Sequence, residues 1–158
     1  MSKKPLILGI ESSCDETAAS IITENEQGIP VVLSNIVSSQ VDVHKDFGGV
    51  VPELAARSHM EKIDWIVQKA IDDSGRKIEE IDAIASTAGP GLIVCLSVGL
   101  SFGKAFASAL EKSFIAVNHL EGHALSPKLN SELNYPYLLL LISGGHSQFL
   151  NVQGLGKY

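Results

Sequence analysis

His119 and His123 stand four residues apart in the segment NHLEGHALSP, residues 118–127, with Glu121 between them. On a helix, positions i and i+4 lie only about 40° apart, so two imidazoles can converge on one cation. Imidazole suits zinc, iron and other borderline first-row metals. Such a centre needs at least a third protein ligand, and none stands out beside this pair. The same spacing also occurs where two histidines are merely satisfied core or surface groups, so the pair alone leaves both readings open. Peptidase chemistry is disfavoured on geometry. In HExxH the Glu directly follows the first His and reaches metal-bound water. Glu121 lies two residues after His119, and on a helix it points about 180° from the mean direction of the two rings.

Two further segments carry groups suited to holding an anion. GIESSCDETA, residues 9–18, offers the hydroxyls of Ser12, Ser13 and Thr17 together with loop N–H groups. Asp15 and Glu16 in the same loop repel a bare phosphate but can orient a metal-bound water, a hydroxyl or an amine. LISGGHS, residues 141–147, places Gly144 and Gly145 where the backbone can approach a ligand closely, with His146 as a donor. Each also reads simply as a polar or Gly-rich hairpin tip. Two such hairpins facing each other across a cleft form the phosphate clamp of actin-like and sugar-kinase-like folds, and this chain has both.

GLSFGKA is a decoy. A P-loop needs Gly where Val98 stands and Ser or Thr where Ala105 stands. Gly99 and Gly103 instead suit close packing of a helix. In GGVVPELAARSH, residues 48–59, Glu53, Arg57 and His59 either line a cleft or form a solvated helix face, and the solvated face is favoured.

The elements that must position these groups follow from periodicity. LILGI (6–10), TAASIIT (17–23) and VVLSNIVSSQ (31–40) read as three strands in an antiparallel meander opening a mixed sheet. A helix is expected over 52–74, with Pro52 in its first turn and Gly75 as its stop. Its stripe would be Ala56, Met60, Ile63, Val67 and Ala70. IDAIAST (81–87) is a strand. Residues 92–110 form a helix apolar nearly all round and therefore expected to be buried. FIAVN (114–118) is a strand, and a short helix follows, stopped by Pro127. YLLLLI (137–142), expected as a buried strand, and SQFLNV (147–152) make a second hairpin. The order β-β-β-α-β-α-β-α and then β-β is an α/β layer structure.

Bulk composition sets limits. The net charge is −6, which opposes this chain alone gripping a phosphate backbone. Cys14 and Cys95 are too few for a disulfide framework, which suits a reducing cytoplasm. The start MSKKPLILGI lacks the pattern of a signal peptide. No uninterrupted apolar run reaches the roughly 20 residues that span a bilayer, so no membrane role is expected. A mean hydropathy of +0.19 is high for a lone domain and suggests apolar surface meant for a partner.

Together, GIESSCDETA, GGVVPELAARSH, TAGPGLIVCLSVGLSFGKA, VNHLEGHALSP and LLISGGHSQF resemble the family of tRNA threonylcarbamoyladenosine transferases, formerly called O-sialoglycoprotein endopeptidases or glycoproteases. The segments occur in family order and cover nearly the whole chain. The resemblance implies an actin-like (ASKHA) two-lobed fold, with residues 1–130 as a first lobe and 131–158 as the start of a second. It implies transfer of a threonylcarbamoyl group from threonylcarbamoyl-adenylate to the exocyclic amine of the adenine 3′ of the anticodon. It maps His119 and His123 onto metal ligands for one divalent ion, iron or zinc. It maps Leu141, Ile142, Ser143, Gly144 and Gly145 onto a substrate-contacting hairpin, next to His146, Ser12 and Ser13 as further candidates. Asp15 and Glu16 map onto acidic residues that assist the transfer. Implied partners are tRNA, an inactive paralogue forming a heterodimer, an accessory ATPase, and a possible homodimer.

The family is about twice as long, and its third metal ligand, an Asp, comes from the other half, so the 158-residue chain is expected to be inactive alone. IVCLSVG replaces a run richer in Gly and Ala, a repacking of that helix. Three alternatives remain: a non-catalytic interaction module of the same family, a sugar-kinase-like phosphotransferase, and a metallopeptidase. The phosphotransferase is disfavoured because Glu11 stands where those enzymes usually carry a metal-orienting Asp.

Overall fold

The computed structural model describes residues 3–143 and 147–158. The chain opens with a meander of β1 (Ile7–Glu11), β2 (Glu16–Glu24) and β3 (Pro30–Ser39). A short helix α1 (Val41–His44) runs into a 3-10 turn at Lys45–Phe47, an element the periodicity did not announce. Then come α2 (Pro52–Ser74), β4 (Ala83–Gly89), α3 (Ile93–Ala109), β5 (Ser113–Asn118) and α4 (His119–Leu125). The hairpin β6 (Tyr137–Ile142) and β7 (Ser147–Val152) follows.

The main sheet has the order β3-β2-β1-β4-β5. β1, β2 and β3 pair antiparallel, whereas β1, β4 and β5 are parallel neighbours. Parallel neighbours need crossover connections, and α2 and α3 supply them. The core lies between the sheet and these helices. Leu8, Ile10, Ile21 and Ile84 meet Ile63, Ile66, Val67 and Ala70 of α2 and Ala107 of α3. Each large aliphatic side chain buried there contributes about 1.5–3 kcal/mol.

α2 begins and ends where Pro52 and Gly75 predict, with Gly75 in the left-handed region at φ 67°. Ile63, Val67 and Ala70 of the expected stripe are buried, but toward the start of the helix the buried face is shifted. Ala55 and His59 face inward, while Met60 is 68% exposed. The cause is His59, which finds three hydrogen-bond partners inside and takes the inward position. α3 is also corrected. It is buried along one face, through Cys95, Leu96, Gly99, Gly103 and Ala107, and Ile93 is 78% exposed. The expected close packing is nevertheless present at the glycines. A Cβ on Gly99 or Gly103 would stand under 3.0 Å from the hydroxyl of Ser12 or Ser86. The helix therefore rests directly on the end of β1 and on β4.

β6 and β7 form a separate two-stranded sheet. YLLLLI is not a fully buried strand: Leu138, Leu140 and Ile142 share an exposed face with Phe149, and Leu139 and Leu141 are turned to the other side.

Candidate functional site

α4 starts where β5 stops. The Asn118 side chain caps it, its Oδ1 accepting from the N–H groups of Leu120 at 2.9 Å and Glu121 at 3.2 Å. The two histidines then fall on one face. Their Nε2 atoms are 3.1 Å apart, and the rings stand at 85° to each other. Glu121 points the opposite way, accepting from the Gly156 N–H at 3.0 Å and the Tyr158 hydroxyl at 2.7 Å. It is no base for anything held between the histidines.

The pair opens into a cleft of about 300 Å³ lined also by Glu11, Ser13, Glu16 and Thr87. Glu11 is the most heavily engaged of these. One carboxylate oxygen accepts the Ser13 N–H. The other accepts the Thr87 hydroxyl at 2.5 Å and lies 3.4 Å from His119 Nδ1. Burial works against ionisation of Glu11, yet the hydrogen bonds from His119, Ser13 and Thr87 outweigh it and hold its pKa at about 2. His119 is pushed up by its hydrogen bond to Glu11, against an opposing effect of burial. His123 is pushed down by burial and by the neighbouring His119. Cys14 also lines the cleft, but burial and the nearby Asp15 raise its thiol to about 11, so it stays protonated at neutral pH and is no nucleophile.

The loop between β1 and β2 divides its side chains between cleft and scaffold. The Ser13 hydroxyl is 3.3 Å from His119 Nδ1. Ser12 faces the other way: its hydroxyl donates to the Cys95 carbonyl at 2.9 Å and accepts the Gly99 N–H at 3.1 Å, bridging one turn of α3. Glu16 is exposed at the cleft. Asp15 is not among the cleft-lining residues; its carbonyl accepts the Gln40 N–H at 2.9 Å. His59 corrects the solvated-face expectation. It is fully buried, its Nδ1 accepting from the Thr17 hydroxyl at 2.7 Å and the Gln40 amide at 3.2 Å. Its Nε2–H donates to the Cys14 carbonyl at 3.1 Å. It is a brace for the loop, whereas Glu53 and Arg57 are exposed. Leu141, Ile142 and Ser143 do not line the histidine cleft. Gly144, Gly145 and His146 lie outside the described residues.

Among the described residues, no group of three or more His, Cys, Asp or Glu side chains is placed to hold a cation. The pair itself fits one. Two nitrogens each about 2.0–2.1 Å from a shared ion can be 3.1 Å apart. Sequence reasoning missed Glu11 and Thr87 as site residues, because no local spacing links positions 11, 87 and 119. Those residues meet because β1, β4 and β5 are adjacent parallel strands that end together. The usable signal was the rule that ligands bind beyond the carboxyl ends of such strands.

Comparison with known proteins bears on the fold and on the family. Solved structures with the same fold include YeaZ from Pseudomonas aeruginosa, TM-score 0.56 at 14% identity over 93% of this chain and 64% of that one. An Aquifex aeolicus PPX-GPPA enzyme matches with TM-score 0.54 at 12% identity over 97% of this chain and 50% of that one. At such identities they bear on the fold, and the expected actin-like architecture holds. In sequence, a protein of Pelagibacter ubique named tRNA N6-adenosine threonylcarbamoyltransferase is 84% identical over all of this chain and 44% of its own length. A Chelativorans protein of the same name is 54% identical over 96% of this chain and 42% of its own length. The chain thus spans less than half the length of these curated relatives. The family model for TsaD, tRNA N6-adenosine threonylcarbamoyltransferase, matches residues 31–158. The chain therefore belongs to the tRNA N6-adenosine threonylcarbamoyltransferase family.

Proposed function

We propose that this chain supplies the histidine side of a site that transfers a threonylcarbamoyl group from threonylcarbamoyl-adenylate to the exocyclic amine of the adenine 3′ of the tRNA anticodon. The observation that carries this reading is the convergence of the His119 and His123 Nε2 atoms, 3.1 Å apart at the ends of three parallel strands. These two residues would hold one divalent ion, zinc or iron, with a third ligand from the rest of the family protein. Such an ion, when bound, polarises a carbonyl as a Lewis acid.

The chain's own residues supply the remainder. Ser13 lines the cleft next to His119, and in this reading it contacts the adenylate from this side while the Leu141–Gly145 hairpin and His146 contact it from another. Ser12 shapes that loop through α3 rather than through its own hydroxyl. In the transfer the amine nitrogen bonds to the carbamoyl carbon as the carbon–oxygen bond to the phosphate breaks. AMP leaves with that electron pair, and the amine gives up a proton. In this reading Glu16, which lines the cleft, receives that proton, with Asp15 beside it in the loop.

The acidic charge of −6 leaves the grip on tRNA to the assembled enzyme. The exposed apolar side chains Met60 on α2 and Ile93 on α3 are where we place a paralogous partner of the same fold or a second copy, with the accessory ATPase joining that assembly. Unpaired Cys14 and Cys95 suit a cytoplasmic location. Among the described residues no helix is long and apolar enough to cross a membrane. The phosphotransferase reading loses ground because both Glu11 oxygens are already committed to protein donors. The peptidase reading loses it because Glu121 faces away.

The test is a chimera in which this chain replaces the matching 44% of the Pelagibacter ubique relative. The chimera is expected to modify tRNA when given threonylcarbamoyl-adenylate, and this chain alone is not. His119→Ala or His123→Ala in the chimera should abolish the product and release the bound metal. A chimera that works equally well with both histidines replaced refutes the proposal.

A further inference from the structure

We propose that Glu11 is a positioning residue that fixes His119 in the tautomer carrying its proton on Nδ1, so that the Nε2 lone pair is presented to the cleft. The significance of this rests on the cation reading above; its test does not. Among the described residues, His119 Nδ1 has two polar neighbours, Glu11 Oε2 at 3.4 Å and the Ser13 hydroxyl at 3.3 Å. An ionised carboxylate has no proton to give. A bare Nδ1 would therefore set one acceptor against another. The Ser13 hydroxyl can turn to donate or to accept, so it suits either tautomer. The carboxylate suits one.

Glu11 is itself held still. Its Oε1 takes the Ser13 N–H, and its Oε2 takes the Thr87 hydroxyl at 2.5 Å. These donors come from the loop after β1 and from β4, while His119 follows β5. The tautomer is thus set by three parallel strands ending together, not by anything within α4.

The other edge of the ring agrees. The His119 and His123 Nε2 atoms are 3.1 Å apart, so without a cation one must donate to the other. With the proton of His119 on Nδ1, the donor is His123 Nε2–H. The bonds then run in one direction, from His123 to His119 to Glu11, with Thr87 donating to the same carboxylate oxygen. The two histidines are consequently unequal. His119 already offers its lone pair to the cleft, whereas His123 must shift its proton from Nε2 to Nδ1 before both nitrogens can face one ion. Outer groups that orient a metal-bound histidine typically alter metal affinity by about 10–100-fold.

The experiment uses the 158-residue chain labelled with ¹⁵N-histidine, in EDTA, at a pH where the rings are neutral. Long-range ¹H–¹⁵N spectra read each tautomer, and His119→Gln assigns the signals. His119 is expected mainly as the Nδ1–H form in the unsubstituted chain. Glu11→Gln should bring in the Nε2–H form, because a Gln amide can donate to Nδ1. Thr87→Val, which keeps the carboxylate, should leave Nδ1–H dominant. A mainly Nε2–H His119 in the unsubstituted chain overturns the inference, even where Glu11→Gln fails to fold. An unchanged tautomer ratio in a folded Glu11→Gln chain overturns it too. A zinc titration of the chimera described above, which carries the rest of the family protein, separates the two readings. If the expected tautomer is found but the chimera does not bind zinc, Glu11 keeps its role and the cation site falls. If zinc binds, Glu11→Gln should weaken it by about 10–100-fold.

Discussion

Replacing Gly99 by Ala inverts the usual effect of that change in a helix. In an ordinary exposed helix interior Gly→Ala stabilises by about 1 kcal/mol. At Gly99 the added methyl would stand under 3.0 Å from Ser12 Oγ and 3.3 Å from Ser12 Cβ, with Ile10 Cγ2 behind at 3.7 Å. Serine is too short to step aside without rotating its hydroxyl. Rotation breaks both of its bonds, to the Cys95 carbonyl and from the Gly99 N–H. Two such bonds are worth roughly 1–3 kcal/mol together, and overpacking adds about 1–3 kcal/mol. After the helical gain is subtracted, Gly99→Ala should cost about 1–5 kcal/mol, measured as a fall in the urea midpoint at constant m-value. Ser12→Ala in the same chain removes the colliding oxygen. The double substitution should therefore recover at least about 1 kcal/mol relative to the sum of the single changes. A neutral or stabilising Gly99→Ala, or strictly additive single changes, would show that α3 does not rest on Ser12 and would refute the reasoning.

Other consequences are equally measurable. His59 is held below its ordinary pKa mainly by burial, so between the native value and about 6.5 the unfolded chain binds more protons. Its contribution to stability is fully present above about pH 6.5 and is lost as the pH falls through that window; His59→Gln should flatten this part of the profile. Glu11, lowered from 4.5 to about 2, contributes stability present above about pH 4.5 and lost as the pH falls toward 2, a second acid loss that Glu11→Gln should remove. Asn118→Ala deletes the cap of α4 and should cost about 1 kcal/mol by denaturant titration. Glu121→Ala frees Gly156 and Tyr158. Amide exchange at Gly156 should speed up about fivefold for each kcal/mol of local stability lost, and unchanged exchange would show that the contact holds nothing.

Much of the architecture was legible because its signals are local. Short apolar runs joined through tight polar turns marked the meander, while Pro52 and Gly75 bounded α2 on sight. The errors share one physical origin. Which face of α2 turns inward is decided by partners of His59 at positions 14, 17 and 40, and no helical period encodes them. Runs that are apolar throughout, as in α3 and YLLLLI, carry no alternation to read. Composition then suggested burial on every side, where the fold leaves Ile93 and Ile142 exposed. The site divides the same way. The histidine pair is written in a four-residue spacing, but Glu11 and Thr87 join it through strand pairing across more than 70 positions.

That division bears on how the histidines keep their separation. α4 is only seven residues long, too short to be stable by itself in water, so its geometry is imposed from outside. Asn118 ties its first turn to the end of β5. The Tyr137 hydroxyl donates to the Ala124 carbonyl in its last turn, and Glu121 binds the turn after β7 on the face opposite the cleft. Two of these three ties reach the β6–β7 unit. Glu11 supplies the fourth restraint from inside the cleft, on His119 alone. Among the described residues His123 has no carboxylate hydrogen-bond partner, and it is held by the helix and by His119. Movement of the β6–β7 unit would thus shift His123 against a His119 anchored to the sheet, which makes the distance between the two Nε2 atoms sensitive to whatever docks on that hairpin.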